Sequence, residues 1–347
     1  MKPLTGEKFD TSRHLLIAEW FGLSNFKIFN RLREPISTES LTKNPSQVEF
    51  TEANIIKLEN ELLPICNSNI SKARREIREF MKIKFFPMSL RSRVWEKLIH
   101  NIAGITKKMY TMYCEYIQKH RSGGIAFGSQ SIIESSISEY SIESNIVITD
   151  DIKESVVKMM LVFEYLHPDI GYVIGMERVA FFIRSMVGID EDTGFFILYN
   201  LYFSCDFLWT TLSAEASLLN HYLMVLKALV DTYTNFKEMY AINRQHFERF
   251  FMESSQTLFV GILAPDIIEK MIDHLVIWDD SVLFAIMLKI VQKFDNFDMS
   301  PFSYSRAKVH IFKAAKEIPE AEYIKAILTA NANHKDFRDI MTNKVKS

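Results

Sequence analysis

Hydrophobic positions along this chain recur mostly at intervals of three and four. Leu219, Tyr222, Leu223, Leu226, Leu229 and Val230 fall on one side of a helical repeat, the mark of an amphipathic helix. Residues 14–32 repeat the pattern through Ile17, Trp20, Phe21 and Phe26, and residues 54–63 continue it. Residues 71–83 read as a basic helix with Ser71 as its N-cap. Residues 195–207 are apolar on almost every side, as expected of a helix buried nearly all round. Residues 267–275, 282–294 and 304–332 extend the helical series. One segment breaks the rhythm. Residues 121–146, RSGGIAFGSQSIIESSISEYSIESNI, hold a glycine pair and a dense set of serines, and this composition predicts a loop. The pattern as a whole predicts an all-α, multi-helix array. A helical extension is expected over residues 1–78, the principal domain over 79–310 and further helices over 311–347.

Apolar residues make up 48% of the 347-residue chain and charged residues 24%, which is ample for a large core. Gly (11) and Pro (9) are scarce, which argues against a β-rich chain of tight turns. A net formal charge of −2 creates no field that favours nucleic acid or anionic membrane. Cys66, Cys114 and Cys205 lie far apart with no C-x-x-C spacing, so reduced thiols are expected rather than a disulfide framework or a zinc knuckle. The opening residues MKPLTGEKFDTSRHLL lack the apolar core of a signal peptide. The longest apolar runs, at 259–264 and 282–288, fall far short of the roughly 18 residues of a membrane span. A cytoplasmic protein without a transmembrane segment is expected.

No phosphate loop of the G-x-x-x-x-G-K-[ST] or G-x-G-x-x-G kind occurs, so the chain is not read as a nucleotide hydrolase. H-E-x-x-H and G-x-S-x-G are also missing. Asp150, Asp151 and Glu154 read as the acidic first turn of a helix rather than as a metal site, and Asp190, Glu191 and Asp192 as another. The run from Lys72 to Arg78 alternates with acids and reads as a solvated helix face. No metal and no cofactor are expected.

Four blocks stand out in order. The first is Phe86-Pro87-Met88-Ser89-Leu90-Arg91-Ser92-Arg93-Val94-Trp95. Pro87 suits a helix entry, and Leu90, Val94 and Leu98 share one face. The second is Ile148-Thr149-Asp150-Asp151-Ile152-Lys153-Glu154. The third is Pro168-Asp169-Ile170-Gly171-Tyr172-Val173-Ile174-Gly175-Met176, preceded by His167. The fourth is Leu275-Val276-Ile277-Trp278-Asp279-Asp280. Together they resemble the TBC domain, an all-helical module that binds Rab-type GTPases and speeds their GTP hydrolysis. They are similar to that family's G-I-P-x-x-x-R-x-x-x-W, I-x-x-D-x-x-R, N-P-x-x-G-Y-x-Q-G-M and I-W-D, over roughly residues 80–300.

The resemblance implies a GTP-bound Rab-type partner and a role in membrane traffic, with endomembranes reached through a partner. It implies structural roles for Arg91, Trp95, Pro168, Trp278 and Asp279, and a binding surface with Asp151, Gly171, Tyr172 and Gly175. The departures are as informative. Phe85 replaces a glycine and His167 an asparagine. Glu154 stands at the family's catalytic arginine and Ile174 at its catalytic glutamine. An activating arginine neutralises charge shifting onto the phosphate oxygens and is worth about 10³ to 10⁵ in rate, roughly 4 to 7 kcal/mol of barrier. A carboxylate in its place repels that charge, and an isoleucine has no group with which to orient a water. Both defects act on the transition state and leave binding open. The expected behaviour is a binder with its catalysis lost, a pseudo-activator rather than an enzyme. Arg178, one helical turn beyond Ile174, is a candidate substitute, although an ion-paired surface arginine is the plainer reading. Two alternatives stand beside this one. In the first, the fold serves as a helical scaffold subunit of a larger assembly that never touches a GTPase. In the second, an active GTPase activator works with non-standard residues.

Overall fold

The computed structural model of the chain describes residues 52–66, 69–81, 85–99, 101, 104–122, 129–144, 146–186, 188–213, 223, 244, 247–278, 280–294 and 304–330. The helices expected at 14–32 and, Leu223 apart, at 219–230 lie outside these residues, as does Asp279. The described residues are mostly helical, with an isolated bridge between Val260 and Leu263 and no strand among them. This is the all-α array that the periodicity predicts.

The chain enters through α1 (Glu52–Lys57), a wider π turn (Leu58–Leu62) and α2 (Leu63–Cys66). Pro64 falls just after that turn and has no N–H to continue the α-helical ladder. Next comes α3 (Ile70–Met81). Its first turn is capped by Asn69, whose Oδ1 accepts from Lys72 N at 2.9 Å, not by Ser71 as the sequence suggested. The expected domain boundary at residue 78 falls inside this helix. Arg78 donates to the Ile277 carbonyl through Nε at 3.0 Å and Nη2 at 2.9 Å. Arg74 donates through Nε to the Leu98 carbonyl at 2.8 Å. Both carbonyls end helices, α4 (Met88–Leu98) and α11 (Pro265–Ile277), where the last carbonyls lack intrahelical partners. These two arginines of the basic run therefore tie α3 to the domain rather than facing solvent.

Helix α4 docks on α11 through a buried ionic cluster. Arg91 is 3% exposed. Its Nε lies 3.1 Å from Asp273 and its Nη1 bonds Glu269. Trp95 Nε1 donates to Asp273 Oδ1 at 2.7 Å, and Phe86 N to Oδ2 at 3.3 Å. Burial pushes the Asp273 carboxyl up to about 6 against the downward pull of Arg91. The same Arg91–Asp273 attraction holds the guanidinium protonated despite its own burial, so the pair is ionised at neutral pH. Trp278 is half-buried and stacks on His274 at 5.2 Å.

The centre of the molecule is built by α7 (Asp150–Leu166), α8 (Met176–Arg184) and α9 (Glu191–Ser204). They bury Met159, Phe163, Val179, Ile183, Phe195 and Leu198, among others, almost completely. Asp190 caps α9 by accepting from Thr193 N at 2.8 Å, as its acidic start suggested. α9 stops at Cys205, earlier than expected, and α10 (Asp206–Ser213) follows. The domain closes with α12 (Ser281–Phe294) and α13 (Tyr304–Glu317). Helical residues continue from 320 to 330.

The segment expected to be a loop is a helix over most of its described length. After the end of α5 (Lys107–Ser122), α6 runs from Gln130 to Ser144. Ile133, Ser136, Ile137 and Tyr140 are buried at the i, i+3, i+4, i+7 spacing of an amphipathic helix. The serines that suggested a loop sit mainly on the outer face, and Ser138 satisfies its hydroxyl on the Glu134 carbonyl at 2.8 Å. Periodicity outweighs composition here. Among the described residues, no helix is long and apolar enough to cross a membrane.

Candidate functional site

The third sequence block forms the turn between α7 and α8. His167 closes α7, donating its N–H to the Phe163 carbonyl at 3.0 Å. Pro168 and Asp169 are exposed. Gly171 N donates to the His167 carbonyl at 2.8 Å with a φ of 71°. Gly175 opens α8 with a φ of 105°, and a Cβ there would lie 2.6 Å from Thr257 Cγ2. Both glycines adopt the left-handed region that side chains disfavour, and Gly175 also lets the turn approach the 257–261 segment.

One carboxylate holds this turn. Glu177 is 1% exposed. Its Oε2 accepts from Tyr172 Oη and from Gly175 N, each at 2.6 Å. Its Oε1 accepts from Ser136 Oγ on α6 at 2.6 Å. Burial, and then the negative Glu177, push the Tyr172 phenol up, so it stays a donor. Ile174, at the tip of the turn, is 67% exposed. The sequence motifs assigned no role to Glu177 or Ser136. The signal available was the buried face of α6, which the serine count obscured.

Arg178 lies one turn into α8. Its Nη2 is 3.0 Å from Glu143, its Nε 3.8 Å from Glu177, and its guanidinium sits 5.1 Å from the centre of the Tyr140 ring. The plainer expectation is met: this arginine is ion-paired, and α6 supplies most of its partners.

Glu154 is not where the resemblance put it. It sits one turn into α7, exposed and paired with Lys158 at 3.0 Å. Arg184, at the far end of α8, reaches Ser155 Oγ at 3.2 Å and Asp151 at 3.6 Å. Helices α7 and α8 therefore run antiparallel. The Asp151–Ser155 level is separated from the Ile174 turn by the length of α8, about 13 Å at 1.5 Å per residue. Two groups acting on one phosphate must converge on it, and Glu154 and Ile174 do not. Asp151 likewise lies away from Gly171, Tyr172 and Gly175, which the fold does bring together. Motif order along a chain carries no information on this separation. The helix that flanks the turn is α6, where Ile133, Ser136 and Glu139 repeat the spacing of the second block. Its sequence, QSIIESSISEYSIES, holds three glutamates and no lysine or arginine.

The His167 ring lies among Phe163, Tyr199, Phe203 and Trp209, with centroids 5.1 to 5.6 Å away. Its Nε2 meets Tyr199 Oη at 2.9 Å. Burial holds the imidazole below its ordinary range, against the pull of Asp169.

The family profile of the Rab-GTPase-TBC domain matches residues 88–297, a span that contains α4, the turn and the α11–α12 block. The chain belongs to the Rab-GTPase-TBC domain family. It is thereby a member of a family of Rab GTPase regulators. A solved structure, titled "Crystal structure of the Chlamydomonas flagellar RabGAP TBC domain", superposes with a TM-score of 0.55 at 16% identity, covering 81% of this chain and 87% of that one. That likeness speaks to the fold. No curated protein shows significant similarity to the sequence. In this TBC domain Arg91 and Trp95 meet in the buried cluster on Asp273.

Proposed function

We propose that this TBC domain binds a GTP-loaded Rab-type GTPase as a regulator of membrane traffic and adds no catalysis of its own. The observation that carries this reading is the make-up of the turn and its flank. The exposed tip is the hydrocarbon Ile174. The neighbouring guanidinium, Arg178, is engaged by Glu143 and Tyr140, and α6 contributes acids without a cation. Relocating the acidic position from Glu154 to α6 leaves the electrostatic argument intact. Developing phosphate charge meets carboxylates and a hydrocarbon, and the missing arginine is worth about 4 to 7 kcal/mol of barrier. Binding depends on surface shape, which the Glu177 clamp preserves. The test is a pull-down with nucleotide-loaded Rabs, paired with single-turnover GTP hydrolysis. Binding to a GTP-loaded Rab with an unchanged hydrolysis rate is expected. Stimulation that disappears in Arg178→Ala would instead establish an activator with non-standard residues.

A second reading has its own observation. The surface between α5 and α7 exposes Met112, Tyr116 and Tyr165, which suits a scaffold subunit with a non-GTPase partner.

A further inference from the structure

Rings line the surface between α5 and α7. Tyr165 lies 5.7 Å from Tyr113 and 5.2 Å from Tyr116, and Tyr116 lies 3.8 Å from His120. Met112 is 57% exposed, Tyr116 43% and Tyr165 38%. Exposed tyrosine and methionine in one patch are the residues enriched in protein interfaces and their energetic centres. Beside the rings, a cavity of about 200 Å³ opens between the same two helices, with Glu115, Glu154, Glu191, Lys158 and Leu161 in its wall. Tyr165 is one turn beyond Leu161 on the same side of α7.

The charges select the ligand. Lys158 lies 3.0 Å from Glu154 and 3.9 Å from Glu191. Glu115 is exposed and forms no ion pair among the described residues. Three carboxylates against one ammonium leave the cavity wall negative; on α5, Lys119 falls one turn beyond Glu115 and His120 one turn beyond Tyr116. We propose that this face docks a basic segment of a partner protein, with a guanidinium in the cavity and the adjoining residues across Tyr116 and Tyr165. Arginine suits both halves of the face, since it pairs with carboxylates and stacks on aromatic rings. The span from Lys158 to Tyr165 is about 10 Å along α7, or roughly three residues of extended chain. The proposal does not rest on GTPase binding. It supplies the chemistry of the partner in the scaffold reading and is equally compatible with a domain that also binds a Rab.

The test uses the full chain and a fluorescein-labelled hexa-arginine peptide, followed by anisotropy. Saturable one-to-one binding is expected. Glu115→Gln should weaken it about threefold, the magnitude of one exposed charge pair. Tyr116→Ala with Tyr165→Ala should weaken it about tenfold, as loss of two ring contacts implies. Glu320→Gln, an exposed acid on the distal helix, should leave it unchanged. Met112→Ala gives a second reading of the ring face should the tyrosine pair lower the melting temperature. Four results overturn the proposal: no saturable binding, equal weakening by Glu320→Gln, wild-type affinity in all ring-face variants, or tighter binding of a labelled hexaproline peptide. None depends on the outcome of the Rab assays.

Discussion

Replacing Glu177 by alanine should loosen the turn that displays Ile174 more than any other single change there. The side chain is buried and receives three donors at 2.6 Å, from Ser136, Tyr172 and Gly175. Hydrogen bonds to a charged acceptor contribute about 1.5 to 3 kcal/mol each. They share one carboxylate, so they do not sum freely. A better measure is the roughly 3 to 5 kcal/mol lost when a buried charged partner is removed. For a domain of this size that corresponds to a melting temperature lower by roughly 10 °C. Glutamine discriminates between charge and shape. Its carbonyl serves Tyr172 and Gly175, and its amide donates to the Ser136 hydroxyl, which rotates to accept. Glu177→Gln should therefore cost only about 1 to 2 kcal/mol. Thermal denaturation ranks the variants, and amide exchange at Gly175 reports the turn itself. A Glu177→Ala protein that melts within about 2 °C of wild type, with Gly175 exchange unaltered, would refute the clamp, since one lost kcal/mol already shifts melting by about that much.

The two turn glycines should separate. Gly171→Ala meets nothing within 4 Å and should cost only the left-handed penalty of about 1 to 2 kcal/mol, whereas Gly175→Ala also strikes Thr257 and should cost clearly more in urea unfolding. Arg78→Met strips the Ile277 carbonyl of its donors and should destabilise by about 1 to 3 kcal/mol, while Arg75→Met, on the exposed face of the same helix, should stay within about 0.5 kcal/mol; equal effects in thermal melts would mean that the whole basic run is solvated. His167 binds its proton less readily when folded, so the unfolded state carries more protons below neutrality and stability falls with acidification through the ordinary imidazole range. The melting-temperature advantage of wild type over His167→Asn should accordingly shrink between pH 7.5 and pH 5.5, values that bracket that range, and a constant gap would remove His167 from the pH response.

Much of this was legible in residue order. The hydrophobic pattern located α9, α11 and α12. Three things were not legible, each for a physical reason. The α6 helix was hidden because serine is neutral to poor inside helices, yet its buried Ile133, Ile137 and Tyr140 supply what propensity withholds. The role of Glu177 was hidden because its three donors come from a neighbouring turn and a different helix. The separation of Glu154 from Ile174 was hidden because a motif records order, and distance depends on whether the next helix turns back.

The shape of the turn and the chemistry at its tip are set by different residues. Gly171 and Gly175 supply the backbone, Tyr172, Ser136 and Glu177 lock it, and Ile174 points outward into none of these contacts. A change at position 174 therefore costs the fold little, while a change at 175 or 177 costs it much. That asymmetry is what the proposed function requires of a TBC domain: the contour of the turn can persist while the chemistry at its tip changes. Stabilisation of a transition state needs a charge or dipole placed within hydrogen-bond reach, and one such side chain removed abolishes it. Association is spread over a surface whose contour survives a single substitution. The buried Glu177 also brings the negative charge of α6 and α8 together beside Arg178, so that guanidinium is faced by carboxylates from two sides. The carboxylate that fixes the shape of the turn is thus also one of the two that face Arg178.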